Sequence, residues 1–271
     1  MNMTETVKHL IIINVLLFLC ANFGLLPHAN EQFALYYFES QNFHWYQVIT
    51  HMFMHAPFPN VMHIAFNMFA LYSFGSTLEH FWGGKKFLFF YISCGMGAAL
   101  IHTAMNFYQI HSILDSVANL NFSKSEINTL LNMDFKTTFD ENGKLVAENI
   151  KVILSKVHCN QTQFNLIMEA AANSQTPAVG ASGAIYGLLV AFGFMFPDAQ
   201  LGLMFIPIPI KAKYFIPGLI GIDLFLGFKG QSIFGGNGTG VAHFAHVGGA
   251  IFGFIIMWIW KQNQFNKNRW N

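Results

Sequence analysis

The chain has 271 residues, 54% of them hydrophobic and only 10% charged, with 31 phenylalanines and a mean hydropathy of +0.40. A soluble domain usually carries about 25% charged residues, so the composition points to a membrane protein. The net charge of +1 gives no footing for nucleic-acid binding. The three cysteines, Cys20, Cys94 and Cys159, form neither a metal-ligand spacing nor a disulfide framework.

Six apolar segments follow one another along the chain. The first, residues 9–26, ends at Pro27. It lacks a small-residue cleavage site and precedes further apolar runs, so it reads as a membrane helix and not as a removed signal peptide. Residues 27–56 are polar and aromatic and contain no Lys or Arg. The second segment, 58–81, leads into the basic turn Gly83-Gly84-Lys85-Lys86. The third covers 87–107. Residues 108–178 differ in kind, being mostly polar with five lysines and seven acids. The fourth, 177–197, reads PAVGASGAIYGLLVAFGFMFP. The loop IPIPIKAKY comes next, its alternating prolines forbidding a regular helix. The fifth segment, 215–228, is the shortest. A connector, Gly235-Gly236-Asn237-Gly238, leads to the sixth, 241–260, and a basic tail.

Each segment approaches the roughly 20 residues a bilayer requires. The pattern predicts an all-α membrane protein with six transmembrane helices and a polar extramembrane insertion between the third and fourth. The membrane domain is expected over 1–107 and 179–271, the insertion over 108–178. Lys8, Lys85, Lys86, Lys211, Lys213, Lys261, Lys267 and Arg269 collect on one side of the membrane, and only Lys229 on the other. Positive charge in short loops marks the cytoplasmic side, so both termini are expected there. The expected setting is a multi-pass protein of a bacterial cytoplasmic (inner) membrane, in contact with the lipid bilayer. The insertion then lies outside, and segments two, four and six run inward.

That parity brings Ser182, His63, Asn67 and His246 into one shallow layer from three segments far apart in sequence. Polar and ionisable groups inside a membrane are costly and mark function. Ala242, His246, Gly249 and Gly253 stand at i, i+4, i+7 and i+11, and Gly183 and Gly187 stand four apart. Such small faces allow two helices to approach closely. Packed together, they bring Ser182 and His246 within hydrogen-bond reach. A serine becomes a nucleophile when an adjacent base takes its proton, and a histidine is the usual base. The plainer alternatives are a small packing serine and a core histidine.

An acyl-transfer site also needs oxyanion donors. Ser182 begins a helix, where backbone N–H groups are unpaired. His63 and Asn67, at i and i+4, present side-chain donors, although alone they read equally as interhelical hydrogen bonds. Tyr186 lies one turn below Ser182 and supports the imidazole or merely packs. Asp223 is the one acid in segment five, and its depth leaves it open as a third member. His55, His63, His243 and His246 could in principle ligate zinc. No H-E-x-x-H is present and no carboxylate lies beside them in sequence, so no metal and no cofactor is expected. His243 and His55 read as loop or mouth residues. A transporter is disfavoured by the absence of an internal repeat.

Three motifs occur in order: His63-Ile64-Ala65-Phe66-Asn67, Gly180-Ala181-Ser182-Gly183 with Tyr186, and Ala245-His246-Val247-Gly248-Gly249 with Gly253. With GSTLEHFWG at 75–83, they resemble the rhomboid intramembrane serine proteases. The resemblance implies a six-helix core and a Ser182–His246 dyad without a third acid, which argues against Asp223. It also implies an oxyanion hole of His63, Asn67 and the Ser182 N–H, with Gly180 and Gly249 supporting. The substrates implied are single-pass transmembrane proteins, cut at or near the outer membrane boundary through an acyl-enzyme. A non-catalytic rhomboid-like binding or quality-control protein is the alternative, although such relatives lose the serine or the histidine. The sequence departs from the pattern at Trp45-Tyr46-Gln47-Val48, where many members carry Trp-Arg. The insertion is a second departure. In it Ser125 is expected as a helix cap and Asn142-Gly143 as a turn. It reads as a partly helical outer cap that selects substrates, or as a loosely ordered loop, with the loop preferred. Asn160-Gln161-Thr162 matches a glycosylation sequon without other signs of a eukaryotic secretory context.

Overall fold

In the computed structural model, residues 2–203, 206–229 and 241–267 are described, and the connector at 235–238 lies outside them. Among the described residues, three helices are long and apolar enough to cross a bilayer: Glu5–Asn22, Gly84–Ser116 and His243–Gln262. The helix Ser182–Met195 is apolar but shorter, and Ala212–Lys229 carries Pro217 in its interior. Segment two forms helix Val61–Ala70, a π turn Leu71–Gly75 and helix Ser76–Trp82. Every joint keeps right-handed helical dihedrals, so the run is unbroken and spans about 33 Å at 1.5 Å per residue.

The chain divides into one unit of residues 1–35, 46–102 and 178–271, and another of 36–45 and 103–177. In the first unit, Phe87, Phe90, Tyr91 and Cys94 of the third helix are buried with Leu71, Leu78 and Leu188. Lipid is as apolar as these side chains, so close packing and hydrogen bonds decide how such helices associate. Glu79 supplies one such set of bonds. Its carboxylate accepts from the Thr6 N–H at 2.9 Å, the Val7 N–H at 2.9 Å and the Thr4 hydroxyl. Thr4 makes no capping bond of its own to helix Glu5–Asn22. A distant acid thus satisfies the orphan N–H groups at that helix start and faces its positive dipole end.

IPIPIK is not a loop. It forms strand β2, Ile206–Lys211, antiparallel to β1, Gln200–Leu203, with Leu201 opposite Ile210. Pro207 and Pro209 are two apart, so both missing N–H groups fall on the same edge, and the ladder uses the other. In the first loop, Gln47 of the stretch Trp45-Tyr46-Gln47-Val48 stands at the start of helix Gln47–Thr50. It is buried, and its amide donates to the Gln32 carbonyl at 3.0 Å.

The second unit is folded, which corrects the loose-loop reading. The third helix runs on to Ser116, past the expected end at 107. Val117, Leu130, Met133, Ile150, Leu154 and Ile167 form a core between helices Lys124–Leu131, Glu148–Lys156 and Gln161–Gln175. Ser123, not Ser125, caps the first of these, in a capping box with Glu126. Asn160 caps the third in a box with Gln163. The Asn142-Gly143 turn is present, with Gly143 at φ +73 and the Asp140 carboxylate accepting from the Asn142 and Lys144 N–H groups.

Candidate active site

Ser182 is the first residue of helix Ser182–Met195. Its own N–H is therefore among those a helix start leaves without an intrahelical acceptor. Gly180, two residues earlier, sits at φ +121 and donates its N–H to the His51 carbonyl at 3.0 Å. A Cβ at Gly180 would lie 3.0 Å from His63 Nε2 and 3.6 Å from Ser182 Oγ. Glycine is the residue that adopts this backbone conformation freely and keeps the space between serine and histidine open.

His246 comes from helix Val241–Lys267. Its Nε2 lies 2.8 Å from Ser182 Oγ. The pairing depends on backbone-to-backbone packing of two helices. A Cβ on Gly253 would lie 2.7 Å from the Gly187 Cα, and one on Gly249 would enter the Gly183 carbonyl. The facing small stripes expected from the sequence are thus in contact, with Gly249 one turn from His246. Tyr186 stacks on the His246 imidazole, ring centroids 4.4 Å apart and planes within 9°, which fixes the ring's tilt.

His63 and Asn67 lie on helix Val61–Ala70. The Ala56 N–H donates to His63 Nδ1 at 3.2 Å. In the neutral ring the proton is then on Nε2, the nitrogen beside Gly180, so His63 presents a donor there. Asn67 is buried, and one amide N–H is engaged with the His63 carbonyl at 2.8 Å. Its amide nitrogen carries a second N–H.

Asp223, which the resemblance argues against, lies beside the Ser182–His246 pair. It is 1% exposed, and its Oδ1 lies 3.2 Å from His246 Nδ1, on the opposite ring edge from Ser182. The same oxygen lies 2.5 Å from His243 Nδ1. Tyr186 donates its hydroxyl to Oδ2. His243 is thus not a loop or mouth residue. It is buried in the first turn of its helix and bonded to an acid. The sequence signal was available: His243 and His246 are three apart and share a helical face. Among the described residues, ligand atoms of Asp223, His243 and His246 all lie within 4.8 Å of one another. This is not the four-histidine set considered above, of which His55 and His63 instead pack against each other as tilted rings, centroids 5.3 Å apart.

The apolar helices mark an integral membrane protein, and within it a part-buried serine hydroxyl and a histidine ring nitrogen lie in hydrogen-bond contact. A family model, the Rhomboid domain, matches residues 42–113 and 149–263, more than half of the chain, and the chain belongs to the rhomboid family. Its members are generally intramembrane serine proteases, and some are inactive. The match passes over residues 114–148, in the second unit. No curated protein and no solved structure matches the chain.

Proposed function

We propose that this protein is an intramembrane serine endopeptidase that cuts single-pass transmembrane proteins at or near the outer membrane boundary. The observation that carries the reading is the 2.8 Å contact between Ser182 Oγ and His246 Nε2. An inactive relative has no need to hold these two atoms at that distance. His246 Nε2 takes the hydroxyl proton as Oγ attacks the scissile carbonyl. The oxyanion forms beside the Ser182 N–H, His63 Nε2–H and the second N–H of Asn67. Donors aimed at a developing oxyanion are each worth roughly 3 kcal/mol in such sites. His246 then protonates the departing amine, and water resolves the acyl-enzyme by the same steps in reverse.

The reading takes six segments as crossings. They are the three long helices, the run over 61–82, Ser182–Met195 and Ala212–Lys229. Lys85, Lys86, Lys211 and Lys213 on one side favour cytoplasmic termini in a bacterial inner membrane. The Ser182 mouth then opens outward, and residues 108–178 form an outer domain. The test is cleavage of a panel of single-pass proteins in vesicles, wild type against Ser182→Ala, both checked for folding. Cleavage by wild type alone is the expected result. Cleavage by both would assign the activity to another nucleophile or a contaminant.

A further inference from the structure

We infer that Asp223 is a positioning residue for His246, making the site a triad braced by His243 and Tyr186 instead of a bare serine–histidine dyad. The inference rests on the peptidase reading and deepens it.

Asp223 stands on helix Ala212–Lys229, in a part of the chain with few charges. An ionised carboxylate accepts hydrogen bonds and donates none. Among the described residues, each side-chain group bonded to it can donate: the Tyr186 hydroxyl on Oδ2, and the Nδ1–H tautomers of His243 and His246 on Oδ1. Buried charge is tolerated where such donors satisfy it. Three such donors suit a carboxylate.

The consequence for His246 is a matter of tautomers. A neutral imidazole carries one proton. Bonding Nδ1–H to Asp223 leaves the lone pair on Nε2, the nitrogen facing Ser182. That is the form that accepts the serine proton. When it does so, the proton moves from Oγ to Nε2 while the Nδ1 proton stays in place. The resulting imidazolium lies against a negative carboxylate, which does not itself take up a proton. Tyr186 acts twice, its ring stacked on His246 and its hydroxyl on the acid that orients His246. His243 shares Oδ1 and holds the carboxylate from its other side. Among the described residues, the titratable groups facing the acid are Tyr186, from helix Ser182–Met195, and His243 and His246, from helix Val241–Lys267.

The test is Asp223→Asn, with Tyr186→Phe as the milder variant that keeps the stack. In both, active sites are titrated with a fluorophosphonate so that rates refer to folded enzyme. In Asp223→Asn, kcat is expected to fall by roughly 10²- to 10⁴-fold at unchanged KM, with the acidic limb of the pH–rate profile displaced. Imidazole ¹⁵N shifts of His246 are expected to report Nδ1–H in wild type and a shift toward Nε2–H in the variant. That readout needs no turnover, so it stands even if the peptidase reading fails. A kcat within twofold of wild type would overturn the inference, and so would an unchanged His246 tautomer. Titration with zinc is the third arm. Equimolar zinc that displaced both histidine signals, and lost this effect in Asp223→Asn, would make the three residues metal ligands and overturn it as well.

Discussion

Replacing Gly249 with alanine tests how the nucleophile and base are brought together. Ordinary van der Waals contact for a Cβ begins near 3.4 Å, whereas one on Gly253 would lie 2.7 Å from the Gly187 Cα. Gly253→Ala therefore forces the two helices apart by about 0.7 Å. Gly249→Ala demands more, because its methyl enters the Gly183 carbonyl, which backbone cannot yield by rotating. Lengthened by that amount, the 2.8 Å Ser182–His246 contact reaches the edge of hydrogen-bond range. Overpacking of this kind costs about 1–3 kcal/mol of stability, and an ångström of misplacement costs about 100-fold in rate. The assay is kcat per titrated active site in vesicles, beside thermal unfolding in detergent. Gly218→Ala is the control, since no neighbouring atom lies within 4 Å of a Cβ there. A Gly249→Ala enzyme within threefold of wild-type kcat, at unchanged melting temperature, would refute the backbone-contact account of the site.

Other predictions follow from the same contacts. Asn67→Ala is expected to lower kcat by roughly 10²- to 10³-fold with little change in KM; if Asn67 only tethers the His63 carbonyl, kcat per active site will not move. Glu79→Gln removes one acceptor from the start of helix Glu5–Asn22, at a cost of about 1–3 kcal/mol in detergent unfolding, while the rate per active site stays constant. In the second unit, a hydrogen bond from Lys156 and others from Ser123 hold Glu126 down at about 2, below an unfolded value of about 4.3. Its stabilisation is present above the unfolded value and disappears as pH falls through the folded one. Hydrogen-exchange protection of residues 124–156, each rate divided by its intrinsic rate at the same pH, is therefore expected to fall between about pH 4 and pH 2, and Lys156→Met to flatten that response.

The Ser182–His246 contact, the stacking of Tyr186 and the facing glycines are legible because each depends on spacing along a single helix. Parity of six crossings predicts a common depth for them. Asp223 was harder for a physical reason. Helix Ala212–Lys229 is apolar nearly all round, so its sequence gives depth but no face. Only contacts with two other helices show where the carboxylate points. His243 is legible through its spacing to His246, although the glycine-rich connector just before it makes it read as a mouth residue. In the second unit, Ser123 was the better cap on sequence grounds, since Glu126 stands three residues on, and Ser125 lacks such a partner. The order of that unit was obscured because its core comes from short amphipathic helices among polar residues, and polar composition alone does not separate them from a loop. The proline hairpin shows the converse limit: alternating prolines forbid a helix, but they leave one strand edge intact.

The most direct measurement is fluorophosphonate labelling of the reconstituted protein, with the adduct located by mass spectrometry. Because it needs no substrate, it addresses the nucleophile itself. The account predicts one adduct, on Ser182, formed at a rate that collapses in His246→Ala while the variant remains folded. An adduct on another residue would contradict it, as would labelling of Ser182 that is indifferent to His246.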